Sequence, residues 1–247
     1  MPAKKTPARK APAKKTPARK ASAQPSPVAD QVAFAMTWLT RKATKHDREN
    51  LPRFGITATN ALGVSMANIQ LLAKQLGRRH ELALALWDTQ CYEARLLASF
   101  VDEPQRVTAA QMDRWCRDFD NWGICDTLCF KLFDQTAHAW PMVTTWSTRR
   151  NEFEKRAAFA LLASLALHDK AATDAQLLHG LTLIERAAND DRNFVWKGVN
   201  WALRSVGRRN AQVRAAAIAL SARLAESPVQ AERWVGKGAL KELQKRP

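Results

Sequence analysis

The sequence predicts an all-α fold, a helical-repeat solenoid, and three observations carry that prediction. Runs of β-branched residues with period-two alternation are absent, and Ala, Leu and Arg dominate instead. Helix-start patterns punctuate the chain: Thr108 to Gln111, Thr173 to Gln176 and Ser227 to Gln230 read as capping boxes, the last with Pro228 at the first helical position. These signals define roughly ten to twelve helices of about 10 to 20 residues joined by short loops. The helices pair at roughly 35 to 45 residues per unit, which is the spacing of a solenoid of the HEAT type with a concave face as its binding surface. An irregular helical bundle is the competing architecture.

The first element in chain order is not a helix. Residues 3–11 read AKKTPARKA and residues 13–21 read AKKTPARKA again, with Pro at 2, 7, 12 and 17 and eight Lys or Arg against no acid in residues 1–27. Such a segment cannot bury apolar surface, so residues 1–27 are expected to be a disordered, self-repelling tail and residues 28–247 the helical-repeat domain. Lys4, Lys5, Arg9 and Lys10 are candidate contacts to a phosphate backbone, bound without reading sequence. A solubilising extension is the other reading.

The remaining charge is unevenly placed. The whole chain carries 39 Lys and Arg against 23 Asp and Glu, a formal net charge of +16. Residues 28–191 are nearly balanced, whereas residues 192–247 hold 12 cations and 3 acids. A localised field of that kind steers an anionic polymer toward one end of the fold.

Other classes are set aside on composition. With 46% hydrophobic residues the chain can bury a sizeable core. No apolar segment follows the basic N-terminus, and the longest apolar run, AAFALLASLAL at 157–167, is too short to span a bilayer. The expectation is a soluble, non-secreted protein, cytoplasmic and nucleoid-associated. Cys91, Cys116, Cys125 and Cys129 form no CxxC pair and the five histidines are scattered, so buried free thiols in a reducing compartment are expected rather than a metal site.

Within the domain, NWGICDTLCFKLFD at 121–134 reads as one helix. Cys125, Leu128, Cys129 and Leu132 share its core face, while Trp122, Asp126 and Phe130 lie along one flank at i, i+4 and i+8. Asp126 is either an ordinary solvated acid beside a core Trp or the one negative charge presented to a cationic substrate. The next helix, NEFEKRAAFALLASLAL, opens on Asn151 as a looser cap over Glu154 and joins a polar first turn to an apolar body. Arg156 sits at the junction, where it either clamps a phosphate or pairs with Glu152 four residues earlier. In DRNFVWKGVNWALRSVGRR at 191–209, Lys197, Trp201, Arg204 and Arg208 fall in one narrow stripe at i, i+4, i+7 and i+11. Three cations flanking an indole suit a phosphate backbone with the aromatic free for sugar or base; a solvated basic face with Trp201 in the core is the alternative.

Three stretches together resemble a known family. The W-x3-D of NWGICD, the KRAAF that opens a helix, and NFV-x-KG-x-x-WALR are similar to the AlkD-type DNA alkylation-repair glycosylases, which are built of HEAT-like repeats. RFGITATNALGVSM and LWDTQCYEARLLASF extend the likeness to roughly residues 50–225. The resemblance implies Trp122 and Trp201 as aromatic walls against the deoxyribose of a lesion, Asp126 as the catalytic carboxylate, and Arg156 as a phosphate contact. It implies excision of cationic N3- and N7-alkylpurines from double-stranded DNA without flipping the base into a pocket, and no metal or cofactor. Thr57 in FGITAT stands where these glycosylases have Gln, and some relatives on the scaffold are not glycosylases.

The chemistry fits Asp126. An N7-alkylated purine is already cationic and departs as a neutral base without a general acid, so what needs stabilising is the oxocarbenium-like sugar, which a preorganised carboxylate does by charge. The expected protein is a monomeric DNA glycosylase acting on alkylated duplex DNA. A non-catalytic repeat protein that recognises DNA shape or branched structures is the second reading, and a protein-protein adaptor, which fits the basic end poorly, is the third.

Overall fold

A computed structural model describes residues 27–245. The Lys4, Lys5, Arg9 and Lys10 contacts proposed from sequence lie outside the described residues. Among the described residues there are thirteen α-helices and no strand. In order they are α1 (Val28–Lys42), α2 (Lys45–Asn50), α3 (Met66–Leu76), α4 (His80–Asp88), α5 (Tyr92–Val101), α6 (Ala109–Arg117), α7 (Trp122–Lys131), α8 (Ala139–Ser147), α9 (Glu152–His168), α10 (Asp174–Ala187), α11 (Asn193–Val206), α12 (Ala211–Ala225) and α13 (Gln230–Leu243). The helix number exceeds the ten to twelve expected, and several helices are shorter than ten residues, α2 only six.

The helices form a two-layer array. From α3 onward each odd-numbered helix packs on the next odd one, giving the row α3, α5, α7, α9, α11, α13, and α8, α10 and α12 neighbour one another in a second row. Each turn of the array is therefore a helix pair that cannot cover its own apolar face, and stacking buries it against the adjacent pair. The repeat is shorter than predicted in the N-terminal half and within the predicted spacing from α9 onward. One continuous core cluster runs from Ala35 to Leu243, with Trp87, Trp115, Trp146, Phe133 and Phe159 among its largest fully buried side chains. Trp87 and Trp115 stack at 4.2 Å between ring centres, and two of the buried indoles keep their polar end satisfied: Trp87 Nε1 donates to Asp118 and Trp146 Nε1 to Asp113.

Local capping explains where most of these helices start. Thr173 and Gln176 form the full reciprocal box at α10. Thr108 accepts from the Gln111 N–H as predicted, but the Gln111 side chain donates to buried Asp102 rather than back to the cap. Asn151 accepts from the N–H groups of Phe153 and Glu154 at α9. The box at Ser227 fails: α13 begins at Gln230, and Ser227 instead accepts from Val229 N–H and donates to Glu232. The helix expected over 121–134 is also shorter, because α7 stops at Lys131 and Phe133–Gln135 forms a 3-10 turn. Asp134, in that turn, is drawn to Ser164 and His168 of α9, whose side chains lie 2.6 Å from its Oδ2.

No helix among the described residues is long and apolar enough to cross a membrane. All four cysteines are buried free thiols, and burial pushes Cys91 up to about 11 and raises Cys116 and Cys129 as well.

Candidate functional site

The candidate site residues from Trp122 to Arg204 fall on three successive odd helices, α7, α9 and α11, whereas Arg208 lies in the turn after α11, which stops at Val206, short of the helix expected over 191–209. Asn121 caps α7 by accepting from Ile124 N–H at 3.0 Å, which places Trp122 at the first helical position and Asp126 one turn further on. Gly123 lets that end of the helix approach its neighbours: a Cβ there would stand 2.7 Å from Tyr92 Oη and 3.1 Å from Ile56 Cδ1. The predicted core face holds, with Cys125, Leu128, Cys129 and Leu132 fully buried, so Trp122, Asp126 and Phe130 are left on the half-buried flank.

Asp126 is joined to Arg156 in a two-pronged ion pair. Arg156 Nε donates to Asp126 Oδ1 at 2.9 Å and Nη2 donates to Oδ2 at 2.7 Å, while Nη1 donates to the Phe194 carbonyl at 2.8 Å. Only 8% of the Arg156 side chain and 16% of the Asp126 side chain are exposed. Burial works against the Arg156 charge, but the Asp126 carboxylate overcomes it by charge and hydrogen bonding, and the guanidinium is held above its ordinary value. Glu152, the protein partner that the sequence offered as the alternative to a phosphate, is not the one Arg156 takes. Glu152 instead accepts from Phe194 N–H at 3.0 Å, fixing the first turn of α11 against α9.

Trp122 opens α7 one turn before Asp126, and Trp201 of α11 meets α7 one turn after it, at Phe130. Trp122 donates from Nε1 to the Phe54 carbonyl at 2.8 Å. Trp201 stacks on Phe130, with ring centres 4.8 Å apart and planes 8° from parallel. Trp122 and Phe130 are eight residues apart, so about 12 Å of helix separates the two aromatic contacts, with Asp126 midway. Two phenylalanines that the sequence reading did not select complete the wall: Phe153 and Phe194 meet at 5.2 Å, and Phe194 reaches Gly55, whose Cβ position would be 3.4 Å from its ring. Gly55 has φ 70° and closes the 3-10 turn Leu51–Phe54, which leaves Phe54 65% exposed beside Trp122.

That loop is anchored by a residue with no sequence motif. Glu93 of α5 is 1% exposed, and its carboxylate accepts the backbone N–H groups of Leu62, Gly63 and Val64 at 2.9, 2.7 and 3.2 Å. Three donors converging on one buried acid explain how a segment without helix or strand holds its course. Thr57 is exposed in the same loop.

The cations expected in one stripe, Lys197, Arg204 and Arg208, are partly compensated. Lys197 is exposed, with Nζ 6.0 Å from the Phe194 ring. Arg204 and Arg208 both pair with Glu242 of α13, and burial lowers the Arg204 pKa. Phe130, Trp201, Leu167, Lys170, Arg208 and Arg209 line a cleft of about 430 Å³ between α7, α9 and the end of α11. Among the described residues no group of three His, Cys, Asp or Glu side chains is arranged to hold a metal ion.

A stacked array of helix pairs, each burying its apolar face against the next, defines a HEAT-like repeat protein. The profile of the DNA alkylation repair enzyme family matches residues 35–243, and the chain belongs to that family. Among solved structures, it is similar to a protein described as one of "a new family of proteins related to the HEAT-like repeat DNA glycosylases with affinity for branched DNA structures", with a TM-score of 0.71 and 16% identity over 83% of this chain and 92% of that one. It is also similar to smu.31 from Streptococcus mutans UA159, with a TM-score of 0.54 and 19% identity over 87% and 98%. At these identities the likeness is one of fold. The curated proteins yield no match.

Proposed function

We propose that this protein is a DNA glycosylase that hydrolyses the N-glycosidic bond of cationic N3- and N7-alkylpurines in duplex DNA. The observation that carries the reading is Asp126, an ionisable side chain held in a largely buried slot on the aromatic flank of α7. In the proposed reaction the C1′–N bond breaks with its electron pair moving to the alkylated ring, which leaves as a neutral base. The positive charge passes to the sugar, where the Asp126 carboxylate stabilises it. Water then adds to C1′, with its proton accepted by Asp126 or by solvent. Trp122 and Trp201 line the approach and attract the charged sugar through their ring faces.

Arg156 has two states in this scheme. Without DNA it holds Asp126 in place and masks its charge; a backbone phosphate beside it competes for the guanidinium, and transfer of Arg156 to that phosphate frees Asp126 to face the sugar. Lys197, Arg204 and Arg208 would hold the strand in register with Trp201, the latter two exchanging Glu242 for phosphate. The protein acts on this reading as a monomer.

A second reading is a non-catalytic binder of branched DNA. It is favoured by the masking of Asp126 in the ion pair and by Thr57 at a position where the glycosylases have Gln. The affinity for branched DNA structures described for a protein of the same fold points the same way.

The experiment is single-turnover release of base from duplex DNA containing N7-methylguanine, with abasic sites cleaved by alkali. The parent should release base and Asp126→Asn should lose at least about two orders of magnitude, the scale of one preorganised electrostatic group. Hypoxanthine, a neutral lesion, should be released far more slowly. No release by the parent, together with preferential binding of a four-way junction over duplex, would establish the second reading.

A further inference from the structure

α13 ends the odd row, and its exposed face has no part in the site described above. Trp234 is 43% exposed and stacks on Trp196 of α11, with ring centres 5.1 Å apart and planes 13° from parallel. One indole thus supports the other as a flat shelf. Lys237 and Lys241 follow at i+3 and i+7, on the same side of the helix as Trp234. With Arg233, Gln230 and Gly238 these residues line a shallow groove of about 480 Å³ that contains no carboxylate.

The acids of α13 are engaged elsewhere, Glu232 with Ser227 and Glu242 with Arg204 and Arg208. Arg233 is held by the Ser227 and Pro228 carbonyls, which orient the guanidinium without neutralising it. An exposed aromatic plane bordered by uncompensated cations calls for a partner that is both planar and anionic. A protein surface seated here would have to supply acids and an apolar contact together, whereas every nucleotide carries a phosphate and a base. A paired duplex keeps its base faces inside the stack, so only an unpaired strand can use the indole.

We propose that this face binds an unpaired stretch of DNA, with a base stacked on Trp234 and the adjoining phosphates on Lys237 and Lys241. The inference rests on nucleic acid being the partner and does not depend on base excision. The test is fluorescence anisotropy of the full chain with labelled dT15, with a 15-unit tetrahydrofuran-phosphate polymer that has the same charge but no bases, and with a paired duplex. The parent should prefer dT15 to the base-free polymer by about tenfold, the effect of one base-aromatic stack. Trp234→Ala should erase that preference while changing duplex affinity less than about twofold on the same reasoning, and Trp234→Phe should restore most of it. The double variant Lys237→Ala with Lys241→Ala should weaken dT15 and the base-free polymer alike and reduce the log-log salt slope by about 1.4.

Equal affinity of the parent for dT15 and the base-free polymer overturns the inference, as does a preference that survives Trp234→Ala. So does a self-associated parent that Trp234→Ala renders monomeric in sedimentation velocity, which would assign the face to a second copy. If the parent binds duplex but shows no base-dependent preference, this inference alone falls; if it binds no DNA at all, the proposed function falls with it.

Discussion

Asp126→Asn tests the ion pair at the centre of the site by its effect on stability as well as on chemistry. The substitution keeps the shape of the side chain and replaces one carboxylate oxygen with an amide nitrogen, so of the two bonds at 2.9 and 2.7 Å one becomes donor against donor. Arg156, with 8% of its side chain exposed, keeps the Phe194 carbonyl and loses its counter-charge. Removing one partner of a buried pair costs about 3–5 kcal/mol, and the 16% exposure of Asp126 places this case toward the lower end. At about 2–4 °C per kcal/mol for a domain of this size, a loss of about 3 kcal/mol lowers the midpoint by about 6–12 °C. The assay is calorimetric or circular-dichroism melting of Asp126→Asn, Arg156→Gln and the double variant. In the double variant no unpaired charge remains, so its destabilisation should be smaller than the sum of the singles by about 2 kcal/mol. A midpoint within about 2 °C of the parent for Asp126→Asn, or additive losses in the cycle, would refute the pair as a buried electrostatic unit. Excision measured below the lowest of these midpoints then separates the chemical effect from the structural one.

Three further outcomes are expected. Glu93→Gln should lower stability by about 2 kcal/mol, since an amide nitrogen replaces an acceptor for backbone N–H groups, and hydrogen exchange should rise at Leu62, Gly63 and Val64; unchanged protection there would dissociate Glu93 from the order of that loop. Burial opposes ionisation of Asp190, but hydrogen bonds from Arg192 and Lys155 prevail and hold it at about 2, below its ordinary 3.8. Its stabilisation is therefore present above about pH 4 and is lost as pH falls toward about 2, so Asp190→Asn should cost about 1–2 kcal/mol at pH 7 and progressively less in acid denaturation series; a penalty independent of pH would contradict the linkage. Deleting residues 1–27 should weaken duplex binding and flatten its salt dependence by about 0.9 for each phosphate no longer neutralised, without abolishing excision at saturating enzyme; failure of excision there would give those eight cations a role in positioning the lesion.

The sequence by itself determined the features that depend on near neighbours in the chain. The caps at Asn121, Asn151 and Thr173 are fixed by side chains reaching two or three residues along, and they set where α7, α9 and α10 begin. The apolar spacing of Cys125, Leu128, Cys129 and Leu132 oriented α7, and so placed Trp122, Asp126 and Phe130 on its flank whatever the neighbouring helices are. Repetition of such units along the chain, with no strand pattern, was enough for the all-α array. What only the tertiary structure decided is which charges meet. Arg156 had a local candidate in Glu152 and took Asp126, thirty residues away, because the stacking of α9 on α7 buries both and a buried charge finds the counter-charge beside it. Arg204 of α11 and Arg208 just beyond its end looked uncompensated in the sequence until α13 brought Glu242 against them. Glu93 and Trp234 carry no motif at all: one is defined by three backbone N–H groups of a distant loop, the other by a second indole on a neighbouring helix. Helical periodicity tells which face of an element is buried, but the partner on that face is chosen by packing between repeats, and no local pattern encodes it.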